Sequence, residues 1–192
     1  RLLRAERAAR AIVRFREGEI DLLLGGTVAE LPYLSIANVR DGFIRFDPVQ
    51  GLFGLALPGS NPLLEEAEVR RALAMAIDRT AVVSGYSVSR WKIAEQILPQ
   101  QLNLPHPPTP PDWAALPMER RRELAQDVVA RWRLRHNGAP FALSVSLPKG
   151  PGMNLLFAAL RTQYAQVGIE LRRVEKGADL LFIDEVAPYD SV

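Results

Sequence analysis

The 192 residues are 48% hydrophobic and 24% charged with a net charge of +2, which suits one large domain or lobe and gives no electrostatic case for nucleic acid. There is no cysteine, which excludes disulfides and thiolate sites without assigning a compartment. No apolar run approaches the ~20 residues of a membrane span. No signal peptide is visible, and the chain opens on Arg1, so the expectation is a piece of a longer protein.

In chain order, residues 1–17 predict a helix with Ala5, Ala8, Ala9, Ile12 and Val13 on one side and arginines on the other. Gly18 is placed to close it in the left-handed conformation. Ile20 to Leu24 predict a short buried strand, punctuated by Gly25 and Gly26. That glycine pair opens no GxGxxG pattern, so a phosphate cradle is the lesser reading. Thr27 to Leu34 predict one helical turn ended near Pro32. Strands are expected at Phe43–Phe46 and Leu52–Leu57, on either side of Asp47-Pro48.

From Asn61 to Tyr86 the pattern is clearest in the first half of the chain. Val69, Ala72, Leu73, Ala76 and Ile77 recur at helical spacing, and acidic residues crowd the first turn, where the helix dipole favours them. Glu66 and Arg70 are spaced as a helical ion pair. Asp78 is an N-cap for a second short helix that Gly85 ends. Ser87 to Leu98 predict a further helix bearing Trp91, Ile93, Ala94 and Ile97. Residues 99–117 are too rich in proline for regular structure. They read as an extended loop, with a polyproline docking sequence as the lesser alternative.

Pro117 opens a long helix that Gly138 terminates, with Leu124, Ala125, Val128 and Trp132 inward. Arg120, Arg121, Arg122, Arg131, Arg133 and Arg135 are read as a solvated face, since no nucleic-acid-binding motif accompanies them. Residues 141–147 alternate apolar and small polar, residues 152–167 carry helical spacing, and 169–174 is again a strand. Together 141–174 predict a βαβ unit within a mixed sheet. The apolar run 180–183 predicts a strand near the sheet centre.

No catalytic set is legible. His106 and His136 lie in a proline loop and at a helix end with no ligand spacing around them, and neither GxSxG nor HExxH is present, so no metal, cofactor or enzymatic activity is expected. Asp184 and Glu185, after a buried strand, are the one acidic pair in a site-like place, because ligands often bind beyond the carboxyl ends of strands.

The string VRRALAMAIDR (69–79) closely resembles the signature of the family 5 extracellular solute-binding proteins, the peptide-, nickel- and oligosaccharide-type receptors of ABC importers. FREGEIDLLLGG (15–26) resembles the segment where that family crosses between lobes. GLFGLAL (51–57) resembles a family strand, with Ala56 where Asn is usual. GIELRRV (168–174) matches the second strand of the family's βαβ unit. The resemblance implies a lobe of a type II periplasmic-binding-protein-like fold. Residues 1–19 would lead to the inter-lobe crossover, and 20–192 would form the ligand-binding lobe. Its implied partners are a small solute or peptide, importer membrane subunits and a second lobe of the same chain, in the periplasm or otherwise outside the cytoplasm. DLLFIDEVAPYD (179–190) resembles the cleft-lining segment and marks Phe182, Asp184, Glu185, Pro188 and Tyr189 as ligand-binding candidates. Glu185 stands where the family usually has Trp. Pro188 stands where it has the acid that holds a peptide's amino terminus. The connection 175–178 is shorter than the family's. A sensing or interaction module with the same fold, fused to a regulator, is the alternative.

Overall fold

A computed structural model describes residues 7–46, 51–59, 61–86, 91–97, 106 and 108–186. Among them, four strands form one mixed sheet: β1 (Gly51–Ala56), β2 (Ala142–Ser146), β3 (Glu170–Arg173) and β4 (Leu180–Val186), in the order β1-β4-β2-β3. β2 runs parallel to β3 and to β4, whereas β1 pairs antiparallel with β4. The expected βαβ unit is therefore present, and β4 is an interior strand. Its helix, α6 (Pro151–Gln166), packs on β3 and sends Met153, Leu156, Leu160 and Tyr164 into the core.

Alternation along β2 makes the core one-sided. Leu143 and Val145 are buried while Ala142, Ser144 and Ser146 are only partly covered. On the buried face lie α3 (Ala67–Ala76) and α5 (Met118–Arg135), packed against each other. The helical stripe behaves as its spacing demands: Val69, Ala72, Leu73 and Ala76 are buried, and Ile77 packs half-buried against the same core. Asp78 caps α4 (Arg79–Ser84), its carboxylate accepting from the Ala81 N–H at 3.0 Å. Gly18, Gly138 and Gly168 follow their helices at φ of 76°, 76° and 82°. Gly85 ends α4 in the right-handed region instead, at φ −62°.

Several expectations are corrected. Residues 20–24 form no strand: Leu22 and Leu24 are 69% and 77% exposed, and no described strand pairs with them. An apolar run specifies a strand only where an edge is available to bond it. Pro32 starts a helix, α2 (Pro32–Ile36), where its missing N–H costs nothing. Residues 41–43 are a single 3-10 turn and 44–46 are irregular, so Phe43–Phe46 is not a strand. Residues 91–97 are non-helical. The Glu66–Arg70 pair does not form. Glu66 lies outside the helix with extended backbone and accepts from Arg135 at 2.8 Å, while Arg70 donates to the carbonyls of Leu64 and Glu65. The amino-terminal helix, α1, is described over Ala8–Arg16.

Two contacts tie distant segments. A Cβ at Gly152 would collide with the Val28 carbonyl oxygen, so glycine there lets the turn at 28–31 close onto the start of α6, where the Gly152 N–H donates to Ala29 O at 2.9 Å. At the head of β4, the Asp179 carboxylate accepts from Asn61 Nδ2 at 2.8 Å and from the Ser144 N–H and hydroxyl, both at 2.7 Å. Desolvation opposes ionisation of Asp179, but these donors outweigh it and hold the carboxyl below the ordinary aspartate value.

Leu73→Ala should lower stability by ~2–5 kcal/mol through lost burial and a cavity. A denaturation midpoint equal to the parent's would contradict the packing of α3. Because the folded Asp179 binds its proton less readily than the unfolded one, its stabilisation is complete above the ordinary Asp range near pH 3.8 and is lost as pH falls through the lower folded value. Acid titration of Asp179→Asn should accordingly show a shallower loss of stability over that window than the parent, and identical slopes would contradict the role of the carboxylate.

Candidate functional site

β4 begins in the core and ends in solvent. Leu180 is 2% exposed and Val186 is 55% exposed, so the strand carries the buried sheet outwards. Even-numbered residues continue the core face and odd-numbered ones the opposite face. Phe182 is half-buried and packs against the core, opposite Leu55 of β1. Asp184 follows on the same face, exposed and directly opposite Phe53. Glu185 points to the other face, opposite Leu52. Pro188 and Tyr189 lie outside the described residues. Of the five candidates, Phe182 and Asp184 are thus brought to one surface, and Glu185 is turned away from them.

Residues missed by the sequence reading complete that surface. Phe53 and Phe182 meet edge to face with ring centroids 5.2 Å apart. Trp91 lies against Phe53 at 6.0 Å, Phe46 at 6.2 Å and Tyr86 at 5.4 Å. These separations suit edge-to-face and tilted aromatic contacts. Tyr86 anchors the group inward: its hydroxyl donates to Gly152 O at 2.7 Å, and burial pushes its pKa up to about 12. Phe46 and Phe53 are 40% and 41% exposed, and Phe53 is the cross-strand partner of Asp184. Among the described residues the Asp184 carboxylate makes no ion pair or hydrogen bond. The helix expected over 87–98 would have sent Trp91 into an amphipathic stripe; the irregular backbone at 91–94 carries it to the sheet instead.

A second cluster lies at α4. Trp113, 5% exposed, is flanked by the guanidinium groups of Arg79 at 5.4 Å and Arg121 at 5.1 Å. Arg121 pairs with Glu95 at 2.6 Å and donates to the carbonyls of Leu116 and Ala114. Arg79 donates to Ala74 O and Ile77 O at the end of α3. Arg121 is therefore not part of a solvated face, as its neighbours in sequence suggested. The proline-rich segment is pinned by a buried tryptophan at 113. A cavity of about 190 Å3 opens here, lined by Asp78, Thr80, Glu95 and Met118 among others. Its cations are engaged with carbonyls and Glu95, which gives them a structural task. His136 stacks on Trp132 at 4.2 Å, and among the described residues no acidic, histidine or cysteine group is arranged to hold a metal.

The mixed four-stranded sheet with its βαβ unit and packed helices matches the lobes of periplasmic binding proteins. The sequence profile described as bacterial extracellular solute-binding proteins, family 5 Middle, matches residues 5–175, and the chain belongs to that family. No curated protein matches the sequence. Among solved structures, OppA of Burkholderia pseudomallei is similar with a TM-score of 0.69 at 20% identity, over 94% of this chain and 38% of that one. An ABC transporter substrate-binding protein from Sinorhizobium meliloti gives a TM-score of 0.60 at 23% identity, over 97% of this chain and 41% of that one. The chain thus spans about two fifths of the length of the structures it matches. At these identities the likeness speaks for the fold. No described helix is long and apolar enough to cross a membrane.

Trp91→Ala should remove the ring shared by Phe46, Phe53 and Tyr86, weakening near-ultraviolet circular dichroism and lowering stability by roughly 2 kcal/mol, less than for a fully buried aromatic. Parent-like spectra and stability in that variant would show that the rings do not form one cluster.

Proposed function

We propose that this chain is the ligand-binding lobe of an extracytoplasmic ABC-importer receptor that captures a peptide or similar small solute in a cleft between two lobes. Membership of the solute-binding family is the observation that carries this reading. Residues 1–19 lead to the inter-lobe crossover, and residues 20–192 form the lobe. A second lobe of the same protein supplies the opposite wall, and importer membrane subunits receive the solute, in the periplasm or an equivalent extracytoplasmic space. The protein acts by binding and release, and no catalytic chemistry is assigned to it.

The face of β1 and β4 that bears Phe53, Phe182 and Asp184 is this lobe's share of the site. Asp184 and Glu185, together with Pro188 and Tyr189 beyond the described residues, belong to the same segment. Pro188 brings no carboxylate to the position from which family members hold a peptide's amino terminus, and its ring removes the backbone donor as well. An ammonium group taken into a cleft needs a carboxylate close by. The terminal ammonium is therefore not held from position 188.

Cleft binding buries most of a ligand's surface between two walls. Isothermal titration of the full-length protein with a peptide library should yield hits that the isolated 192-residue chain binds at least roughly a hundredfold more weakly. Comparable affinity in the two would contradict a site shared between lobes. Tight binding that N-acetylation abolishes, and that survives Asp184→Asn, would contradict the reading of position 188.

A further inference from the structure

We infer that Phe53 and Asp184 form a subsite for an organic cation, an ammonium or guanidinium group on an aliphatic stem. This rests on the solute-binding reading and adds the chemical class of group that the lobe takes.

The geometry is set by the β1–β4 ladder. Phe53 and Asp184 are direct antiparallel partners on one face, so their Cβ atoms stand roughly 5 Å apart and their side chains rise together. Phe182 and Trp91 both contact the phenyl ring of Phe53, with centroids 5.2 Å and 6.0 Å away. The ring stays 41% exposed, and the carboxylate beside it is exposed with no ion-pair partner among the described residues.

Among the described residues several surface carboxylates are answered internally, and others, Glu185 and Asp127 among them, are not. Glu66 and Glu68 meet Arg135, Glu68 also meets Arg131, Glu95 meets Arg121, and Asp112 meets Arg71. Asp184 is among the unanswered ones, and its cross-strand partner Phe53 belongs to the largest group of touching aromatic rings described. A ring face attracts a cation, and a carboxylate within reach turns that attraction into a charge-assisted hydrogen bond. Rings also cover the methylene stem that such a cation carries. An anion would be repelled by Asp184, and a neutral sugar, whose hydroxyls can donate to the carboxylate, brings no charge to the ring face. Glu185 cannot serve the same subsite, because the pleat turns it to the opposite face.

The test uses the full-length protein and three tripeptide amides. Acetyl-Ala-Lys-Ala-amide carries a side-chain cation, Ala-norleucine-Ala-amide a terminal one, and acetyl-Ala-norleucine-Ala-amide none. At least one charged peptide should bind roughly ten- to a hundredfold tighter than the neutral one, the range of a charged hydrogen bond. Which of the two gains identifies the source of the cation. Asp184→Asn should erase the advantage and Glu185→Gln should keep it, with both variants giving parent-like circular dichroism. Equal binding of all three peptides would overturn the subsite while leaving a solute-binding cleft in place. An advantage that survives Asp184→Asn would overturn it in the same way. Failure of all three to bind at millimolar concentration would overturn the subsite and count against a peptide-binding cleft.

Discussion

The placement of the β1–β4 face, the candidate site, rests first on one carboxylate. Asp179 precedes β4 and gathers hydrogen bonds from Ser144 of β2 and from Asn61, which itself caps the turn leading to α3. Three stretches far apart in sequence are thereby held at a common point. With that point fixed, Leu180 pairs with Val145 and enters the core, and the pleat decides the direction of each later side chain. A slip of one residue would send Phe182 and Asp184 to the back of the sheet and Glu185 to the front. The polar cluster at the head of the strand thus acts on the site through register, from outside it.

The second determinant is how the aromatic rings are supported. Phe53 and Phe182 belong to neighbouring strands, but Trp91 reaches them from an irregular segment, and Tyr86 bonds the group to the first turn of α6. That turn is in turn covered by the 28–31 segment, whose close approach requires Gly152. Its Gly152 N–H bonds Ala29 O, so that donor is engaged within the fold. The end of the lobe nearest the outward strand therefore places apolar rings and the Asp184 carboxylate, unpaired among the described residues, on one face.

Much of this fold was legible because period and punctuation agreed. The 69–76 stripe, the Asp78 cap, the alternation at 141–147 and the βαβ order all rest on local patterns that burial then reinforces. Legibility failed where the outcome depended on distant partners. Residues 20–24 are apolar enough for a strand but have no described edge to bond, and 91–97 have helical spacing without helical backbone. Trp113 and Arg121 were hidden for the same reason: a proline loop and an arginine run give no local sign that one indole will sit between two guanidiniums. The candidate segment is proposed from family order, and the pleat of β4 brings its Phe182 and Asp184 to one face. Phe53 and Trp91 have no such local sign: the antiparallel β1–β4 register places the first, and an irregular segment carries the second to it.

The central claim is that the β1–β4 face is where this lobe meets its solute. Hydrogen–deuterium exchange of the full-length protein, with and without a saturating peptide hit, tests it most directly. The account predicts slower exchange on binding in peptides covering residues 51–56 and 180–186, with residues 118–135 unchanged. Unaltered exchange in both strands, with protection appearing along 118–135 or at 170–173 instead, would contradict it.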